Sequence, residues 1–220
     1  GANPMTRRAN MCGALLLGAS LLAGCASQQG LVDQTPGAYL AAQSLEERPT
    51  PGRFSFCVNY GCARILPARL SDAAWRDVLA PLALPAATPL AERQALAVAV
   101  ARFERAARQA LGLGQDRAGT YPGAFAADQN DCVDETANTT TLLIMLDAVG
   151  KLTHHRVGPP AKRGVFINIA LPHRTATLQE KASGARFVLD SWFRGSGEPA
   201  DVAPLQDWLG GWAPPGGAWS

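Results

Sequence analysis

The segment from Gln129 to Met145 constrains the fold most, because its pattern predicts a polar loop that turns into a helix with a cysteine in the first turn. Asp131 is a suitable N-cap, and Asp134 stands three residues later, where the acid of a capping box belongs. Gly150 is a suitable end for the helix. Small and apolar side chains recur at helical spacing and predict one buried face: Val133, Ala137, Thr140, Ile144 and Ala148.

Cys132 is the candidate nucleophile of this segment. A thiol at a helix N-terminus faces the positive end of the helix dipole and unpaired backbone N–H groups. Both favour the thiolate, so the sequence predicts a lowered pKa for this cysteine. The alternative is a small buried cysteine that merely begins a helix.

The first 25 residues have the pattern of an export signal. Arg7 and Arg8 precede an apolar run, residues 14–22, which is too short to span a bilayer. The run ends in Leu21-Leu22-Ala23-Gly24-Cys25, which resembles the bacterial lipobox. The resemblance implies cleavage before Cys25 and lipidation of its thiol, and therefore a membrane-anchored, periplasm-facing protein of the cell envelope at the outer membrane. The alternative is an ordinary secretory signal, which still gives export.

Loss of the signal also changes the charge balance. The whole chain has 20 basic and 18 acidic residues, and removing Arg7 and Arg8 leaves 18 of each. A near-neutral mature chain does not favour nucleic acid as a partner. Residues 26–52, rich in Gly, Pro and Gln, are predicted to be a flexible tether, followed by a single domain over 53–220.

Three cysteines remain in the mature chain. Cys57 and Cys62 flank turn residues, so a disulfide between them is expected to close a hairpin in an oxidising compartment. Cys132 is then the odd thiol, which is the pattern of a reactive cysteine. Two further readings stay open: reduced cysteines with no role, and a metal site with His154 and His155, although that spacing matches no strong zinc pattern.

The domain is predicted to have two parts, an N-terminal hairpin and helices over 53–118 and a catalytic core over 119–220. Residues 54–67 alternate as a hairpin, and Ser71-Asp72 caps a short helix. Thr88 and Pro89 begin a long helix that ends at Gly112. After the Cys132 helix, apolar alternation predicts four strands, with Gly158-Pro159-Pro160 breaking the first: 152–157, 165–171, 173–178 and 186–193. The tryptophan-rich tail is expected to wrap the domain.

His173 and Asp190 lie on two of these strands, which a Ser183-Gly184 turn connects. Residues that pair across a hairpin with an even loop have numbers that add to an odd sum. His173 and Asp190 satisfy this parity, so both project from one face as direct or diagonal neighbours. A cysteine nucleophile needs such a base and such an orienting acid.

The order and spacing of these residues resemble the transglutaminase-like superfamily of cysteine hydrolases and transferases. The motifs are Asp131-Cys132, Pro172-His173-Arg174-Thr175-Ala176 and Val188-Leu189-Asp190-Ser191-Trp192, with 41 residues from cysteine to histidine and 17 from histidine to aspartate. The resemblance covers about residues 125–195. It implies an α+β fold with a papain/transglutaminase-like core, in which the nucleophile helix packs on an antiparallel sheet.

The same resemblance implies the chemistry. Cys132 would attack an amide carbonyl of a peptide or protein, His173 would serve as general base and acid, and Asp190 would orient the imidazole. The thioacyl-enzyme would be released to water or to an amine, with no cofactor and no metal. The oxyanion would bind the Cys132 backbone N–H and a second donor, for which Gln129 and Asn130 are candidates.

Two other function classes compete with the enzyme. The first is a non-catalytic envelope lipoprotein that binds a peptide or protein partner with the same fold. The second is a thiol redox protein that uses Cys57 and Cys62. His154 and His155 are expected to be one buried and one exposed strand residue, and one of them is a candidate neighbour of the site.

Overall fold

The computed structural model describes residues 29–121, 126–164 and 172–216, so the predicted signal with Cys25 and the predicted strand over 165–171 lie outside the described residues. Within these ranges the chain has a mixed α+β fold, with helices packed on a five-stranded antiparallel sheet. None of the helices in the described ranges is both long and apolar enough to cross a lipid bilayer.

The sheet has the strand order β1-β4-β5-β6-β7, and β2 and β3 form a separate hairpin. The elements in chain order are β1 (Gly30–Leu31), α1 (Pro36–Ala42), β2 (Phe54–Val58), β3 (Arg64–Ala68), α2 (Asp72–Leu79), α3 (Pro89–Leu111), α4 (Cys132–Ala148), β4 (His155–Arg163), β5 (His173–Glu180), β6 (Arg186–Asp190), β7 (Asp201–Pro204) and α5 (Leu205–Leu209).

The long helix α3 begins and ends as its sequence predicts. The Thr88 hydroxyl accepts the Ala91 N–H at 3.1 Å, and Gly112 ends the helix with a φ of 66°, a left-handed conformation that suits glycine. Phe103 on its buried face packs against Phe54 and Phe56 of the hairpin, with ring centroids 5.3 and 6.3 Å apart. Each buried phenylalanine contributes roughly 1.5–3 kcal/mol to this core.

The helix α4 is buried on all sides over much of its length, whereas the sequence predicted a single buried face. Every residue from Asp134 to Leu143 is buried, whereas Val133 and Ile144 are only half-buried and Ala148 is exposed. The reason is that α4 packs against the β2–β3 hairpin, α1 and the main sheet together. Its polar first half is therefore surrounded by protein and requires internal hydrogen-bond partners.

The predicted flexible tether over residues 26–52 is wrong for the part that the structure describes. Strand β1 pairs with β4, and Tyr39 and Leu40 of α1 are buried, in a cluster that includes Cys57 and Ala137. Apolar side chains in a Gly- and Pro-rich segment allow it to bury surface on the domain.

The predicted break at Gly158-Pro159-Pro160 is also wrong, because β4 runs through it. The register with β5 shifts between Gly158 and Ala161, so a β-bulge absorbs the prolines. A Cβ atom on Gly158 would lie 2.3 Å from the Thr177 hydroxyl oxygen, which explains a glycine at this point. Strand β6 ends at Asp190, three residues earlier than predicted.

Glu92 of α3 anchors the start of β4 at the end of the sheet distant from Cys132. Its buried carboxylate accepts the backbone N–H groups of Thr153 at 2.8 Å, His154 at 3.0 Å and His155 at 3.0 Å, and the His155 Nδ1–H at 2.9 Å. Burial raises the pKa of Glu92, but these hydrogen bonds outweigh it and hold the pKa below its ordinary value.

Replacing Glu92 with glutamine is expected to reduce the free energy of unfolding by about 3 kcal/mol. The glutamine amide nitrogen would face N–H donors that now point at a carboxylate oxygen. Urea denaturation measures the loss, and Glu47→Gln at an exposed position is the matched control. A loss no larger than that of the control would contradict this account of Glu92.

Candidate active site

Cys132 is the first residue of α4, and the predicted cap around it is confirmed. The Asp131 carboxylate accepts the backbone N–H groups of Val133 at 2.9 Å and Asp134 at 3.1 Å. The Asp134 carboxylate in turn accepts the Asp131 N–H at 3.0 Å, which completes a capping box. The backbone on both sides of the thiol is therefore fixed.

The hairpin loop binds the same two carboxylates. The backbone N–H groups of Tyr60 and Cys62 each donate to Asp134 at 2.8 Å, and that of Gly61 donates to Asp131 at 3.0 Å. Consecutive residues Asn59, Tyr60, Gly61 and Cys62 have φ values of 71°, 65°, 68° and 56°. Successive left-handed residues point their N–H groups into one concavity that binds an anion.

The predicted disulfide between Cys57 and Cys62 is confirmed and closes this loop. Cys57 is also tied to α4 directly, because its N–H donates to the Asn138 side chain at 2.8 Å and its carbonyl accepts from it at 2.9 Å. The hairpin therefore holds the start of the Cys132 helix in place. This role of the loop was not predicted from the sequence.

Removing the disulfide with the double substitution Cys57→Ala and Cys62→Ala is expected to lower the free energy of unfolding by about 2 kcal/mol, because the unfolded chain regains the freedom of a small loop. Urea denaturation measures the change. The wild-type protein in excess dithiothreitol should match the double variant, and dithiothreitol should leave the variant unchanged. Equal stability of the oxidised wild type and the variant would contradict the prediction.

His173 and Asp190 meet as predicted. His173 is the first residue of β5 and Asp190 the last of β6, and the observed register pairs Ala176 with Leu189, which has the expected parity. The two residues are diagonal neighbours, with His173 Nε2 2.7 Å from Asp190 Oδ2. Both side chains are buried.

The hydrogen bond to Asp190 determines which imidazole nitrogen of His173 carries the proton. An ionised carboxylate only accepts hydrogen bonds, so Nε2 carries the proton and Nδ1 has the lone pair in the neutral ring. His173 Nδ1 is buried and has no hydrogen-bond partner among the described residues. The lone pair on Nδ1 is therefore not used by a hydrogen bond to any described residue.

Aromatic rings enclose the imidazole. The ring centroids of Trp192, Phe193 and Trp208 lie 4.7, 5.3 and 5.4 Å from that of His173. The indole N–H of Trp208 also donates to Asp190 Oδ2 at 2.9 Å. The sequence did not predict that Trp208 binds Asp190 together with His173. The one signal for it was the expectation that the aromatic residues of the tail pack on the domain.

Cys132 lies beside the backbone that carries His173. Its Sγ is 3.8 Å from the carbonyl oxygen of Pro172, and the backbone N–H of Arg174 donates to the sulfur. These are the residues immediately before and after His173. The partly exposed sulfur therefore lies against the backbone on both sides of His173, where α4 meets the ends of β5 and β6, but it makes no hydrogen bond to the imidazole among the described residues.

The pKa of Cys132 is opposite to the predicted direction. Burial raises the pKa of the thiol to about 12, the Asp131 and Asp190 carboxylates raise it further, and the Arg174 N–H and guanidinium only partly oppose them. The predicted effect of the helix N-terminus is overcome because the sulfur is largely removed from water and because the cap of this helix is itself an anion. At neutral pH the sulfur is therefore a thiol and needs a base to react.

The side chains of Gln129 and Asn130 do not fit the predicted oxyanion role. The Gln129 amide nitrogen donates to the Gln115 carbonyl at 2.9 Å, and that of Asn130 donates to Glu135 at 2.7 Å. Both amide nitrogens therefore already donate to groups of the protein, which hold the loop before α4 in place, and they do not face a substrate oxygen. The Cys132 backbone N–H as an oxyanion donor remains a prediction.

His154 and His155 do not neighbour the site. His155 is buried against Glu92 and pairs with Glu180 at one end of β5, whereas His173 is at the other end. His154 is half-buried and its Nε2 lies 2.8 Å from the Ala86 carbonyl oxygen. The open possibility of a metal site formed by these histidines with Cys57 and Cys62 is excluded by this separation of partners and by the disulfide.

No family model, curated protein or solved structure matches this chain.

Proposed function

We propose that this chain is a thiol-dependent amide hydrolase or acyltransferase with a transglutaminase-like core and the triad Cys132, His173 and Asp190. The observation that carries the proposal is the buried imidazole of His173. Its Nε2 is bound to a carboxylate at 2.7 Å, and its Nδ1 has no hydrogen-bond partner among the described residues. The residues immediately before and after His173 contact the Cys132 sulfur through their backbone. A structural histidine would normally use both nitrogens when buried.

The proposed reaction gives each of these residues one role. As the Cys132 sulfur attacks the carbonyl carbon of an amide, its proton passes to His173 Nδ1. The tetrahedral intermediate then collapses, the C–N bond breaks, and the imidazolium returns the proton to the departing amine. Water or a second amine attacks the thioester, with the same imidazole taking and returning the proton.

The environment supports proton transfer coupled to attack rather than a preformed thiolate. The raised pKa of Cys132 keeps its proton on the sulfur until the carbonyl is in place. Asp190 balances the positive charge that the imidazole gains, and the surrounding aromatic rings exclude water from that pair.

The substrate class is a peptide or protein amide, and the lipobox-like sequence ending at Cys25 supports a place in the cell envelope. An anchored enzyme of this kind would act on amides within reach of the membrane surface.

A trapping experiment tests the proposal. The purified protein is incubated with glutamine-containing peptides and a fluorescent primary amine, quenched in acid, and its intact mass is measured. A thioacyl adduct that maps to Cys132 and a released or amine-linked product are expected, and both should disappear in Cys132→Ala. Equal product formation by Cys132→Ala would show that the chemistry does not use this sulfur.

The raised pKa also supports a second candidate, a non-catalytic lipoprotein that binds a peptide through the same surface. In that case the thiol is inert and the His173–Asp190 pair only stabilises the junction between β5 and β6. The two candidates differ in whether the imidazole accelerates the reaction of Cys132 with an electrophile.

A further inference from the structure

A second group of ionisable side chains comes from α3, the loop that follows α3, and α4, and it has no part in the reaction above. Glu104 of α3, Asp116 of the following loop and Glu135 of α4 bring one carboxylate oxygen each within 4.8 Å of one another. All three are buried, at 6%, 7% and 5% of full exposure.

Among the described residues, the formal negative charge of this group is only partly balanced. Arg108, one turn after Glu104 on α3, is a buried cation that acts electrostatically on all three carboxyl groups, and its Nε and Nη2 atoms donate to the carbonyls of Gly114 and Asp128. Three carboxylates and one guanidinium leave a formal charge of two negatives. Buried uncompensated charge is strongly unfavourable, so the cluster must hold either protons or a bound cation.

Neutral donors also hydrogen-bond to each of the carboxyl groups. The Ser196 hydroxyl donates to Glu104 at 3.0 Å, the Asn130 N–H donates to Asp116 at 2.9 Å, and the Ser191 hydroxyl donates to Glu135 at 2.6 Å. These bonds position the oxygens but add no charge.

An independent observation comes from the side chain of Asn130, which is 1% exposed. Its amide nitrogen donates to Glu135 Oε1 at 2.7 Å, so the amide group lies at the edge of the cluster, yet its Oδ1 has no hydrogen-bond partner among the described residues. A buried amide oxygen without a partner is unfavourable. Amide oxygens are also common ligands of calcium.

We propose that Glu104, Asp116, Glu135 and the Asn130 side chain form a binding site for one divalent cation of the calcium type. Oxygens that surround one Ca²⁺ at roughly 2.3–2.6 Å lie at most about 5 Å apart, which agrees with the spacing of the carboxylates. The group contains no thiol or imidazole, so a cation that prefers oxygen is favoured over zinc. The sequence, in contrast, predicted a protein without a metal site.

The site is placed to support the triad. Glu135 is one turn after Cys132 on α4, and its partner Ser191 directly follows Asp190. A bound cation would join α3, the loop before α4, α4 and the end of β6. The proposal does not depend on the proposed function, because occupation of the site is measurable without any turnover.

Calorimetric titration and thermal unfolding of the full chain test the site. Protein stripped with EDTA and dialysed is titrated with CaCl₂, and its Tm is recorded in EDTA, CaCl₂ and MgCl₂. We expect saturable binding of one Ca²⁺ and a rise in Tm of about 5 °C at a hundredfold excess over Kd. Absence of heat and of a Tm shift at millimolar CaCl₂ would overturn the proposal and indicate that the cluster holds protons instead.

Variants assign the binding to these residues. Glu104→Gln should lose most of the calcium-dependent Tm rise, whereas Asp77→Asn, on the exposed face of α2, should keep it. Circular dichroism establishes that each variant folds, and Asp116→Asn replaces Glu104→Gln if that variant does not. A calcium response retained in a folded variant of the cluster would overturn the assignment.

Discussion

Replacing Asp190 with asparagine is expected to lower kcat/KM for amide turnover by about 10³- to 10⁴-fold. Asp190 Oδ2 accepts two buried donors, His173 Nε2 at 2.7 Å and Trp208 Nε1 at 2.9 Å. An asparagine in this position has one amide oxygen and one NH₂ group. If the NH₂ faces the imidazole, the ring must move its proton to Nδ1, and under the proposed mechanism Nδ1 can then no longer accept the proton of Cys132.

The measurement is steady-state kinetics on whichever glutamine peptide gives the Cys132 adduct. Asp201→Asn is the matched control, because Asp201 faces Asp190 across β6 and β7 but binds only Arg194 among the residues described here. The control should remain within a few-fold of the wild type. A kcat/KM of Asp190→Asn close to that of the control would exclude Asp190 as the orienting residue.

Replacing His173 with alanine is expected to slow the alkylation of Cys132 by iodoacetamide at pH 7 by about 10²-fold or more, the usual contribution of a positioned base. The residual reaction should depend on the free thiolate alone. Because the pKa of the thiol is raised to about 12, the rate in this variant should increase about tenfold for each pH unit from 7 to 10, with no plateau.

His154→Ala is the control for this experiment, since His154 binds the Ala86 carbonyl at the distant end of the sheet. Its alkylation rate and pH profile should equal those of the wild type. The same rate in the wild type and in His173→Ala would favour the non-catalytic candidate, because the imidazole would then have no influence on the sulfur.

Several parts of the fold were predictable because they depend on residues close together in the chain. The cap at Thr88 and the end at Gly112 bound α3, and Asp131 with Asp134 forms the capping box of α4. The Cys57–Cys62 disulfide follows from a short turn between the cysteines. The meeting of His173 with Asp190 follows from strand parity, which requires only that the two strands pair across one turn.

Other features of the site were not predictable because their partners are distant in the chain. Trp208 reaches Asp190 from the tail, and Glu92 caps a strand that begins some sixty residues later. The predicted direction of the Cys132 pKa shift was wrong, because that direction depends on how much water and how many carboxylates surround the sulfur. The position of a thiol at a helix start does not contain this information.

The sequence by itself determined the local elements, the disulfide loop and the order of the three candidate catalytic residues, because capping, turn formation and strand alternation act over a few residues. Only the tertiary structure decided that α1 packs on the domain, that the hairpin loop binds Asp131 and Asp134, and that three carboxylates share one buried space. Burial and electrostatic energy depend on distances in space between residues that are far apart along the chain, and the folded arrangement alone sets those distances.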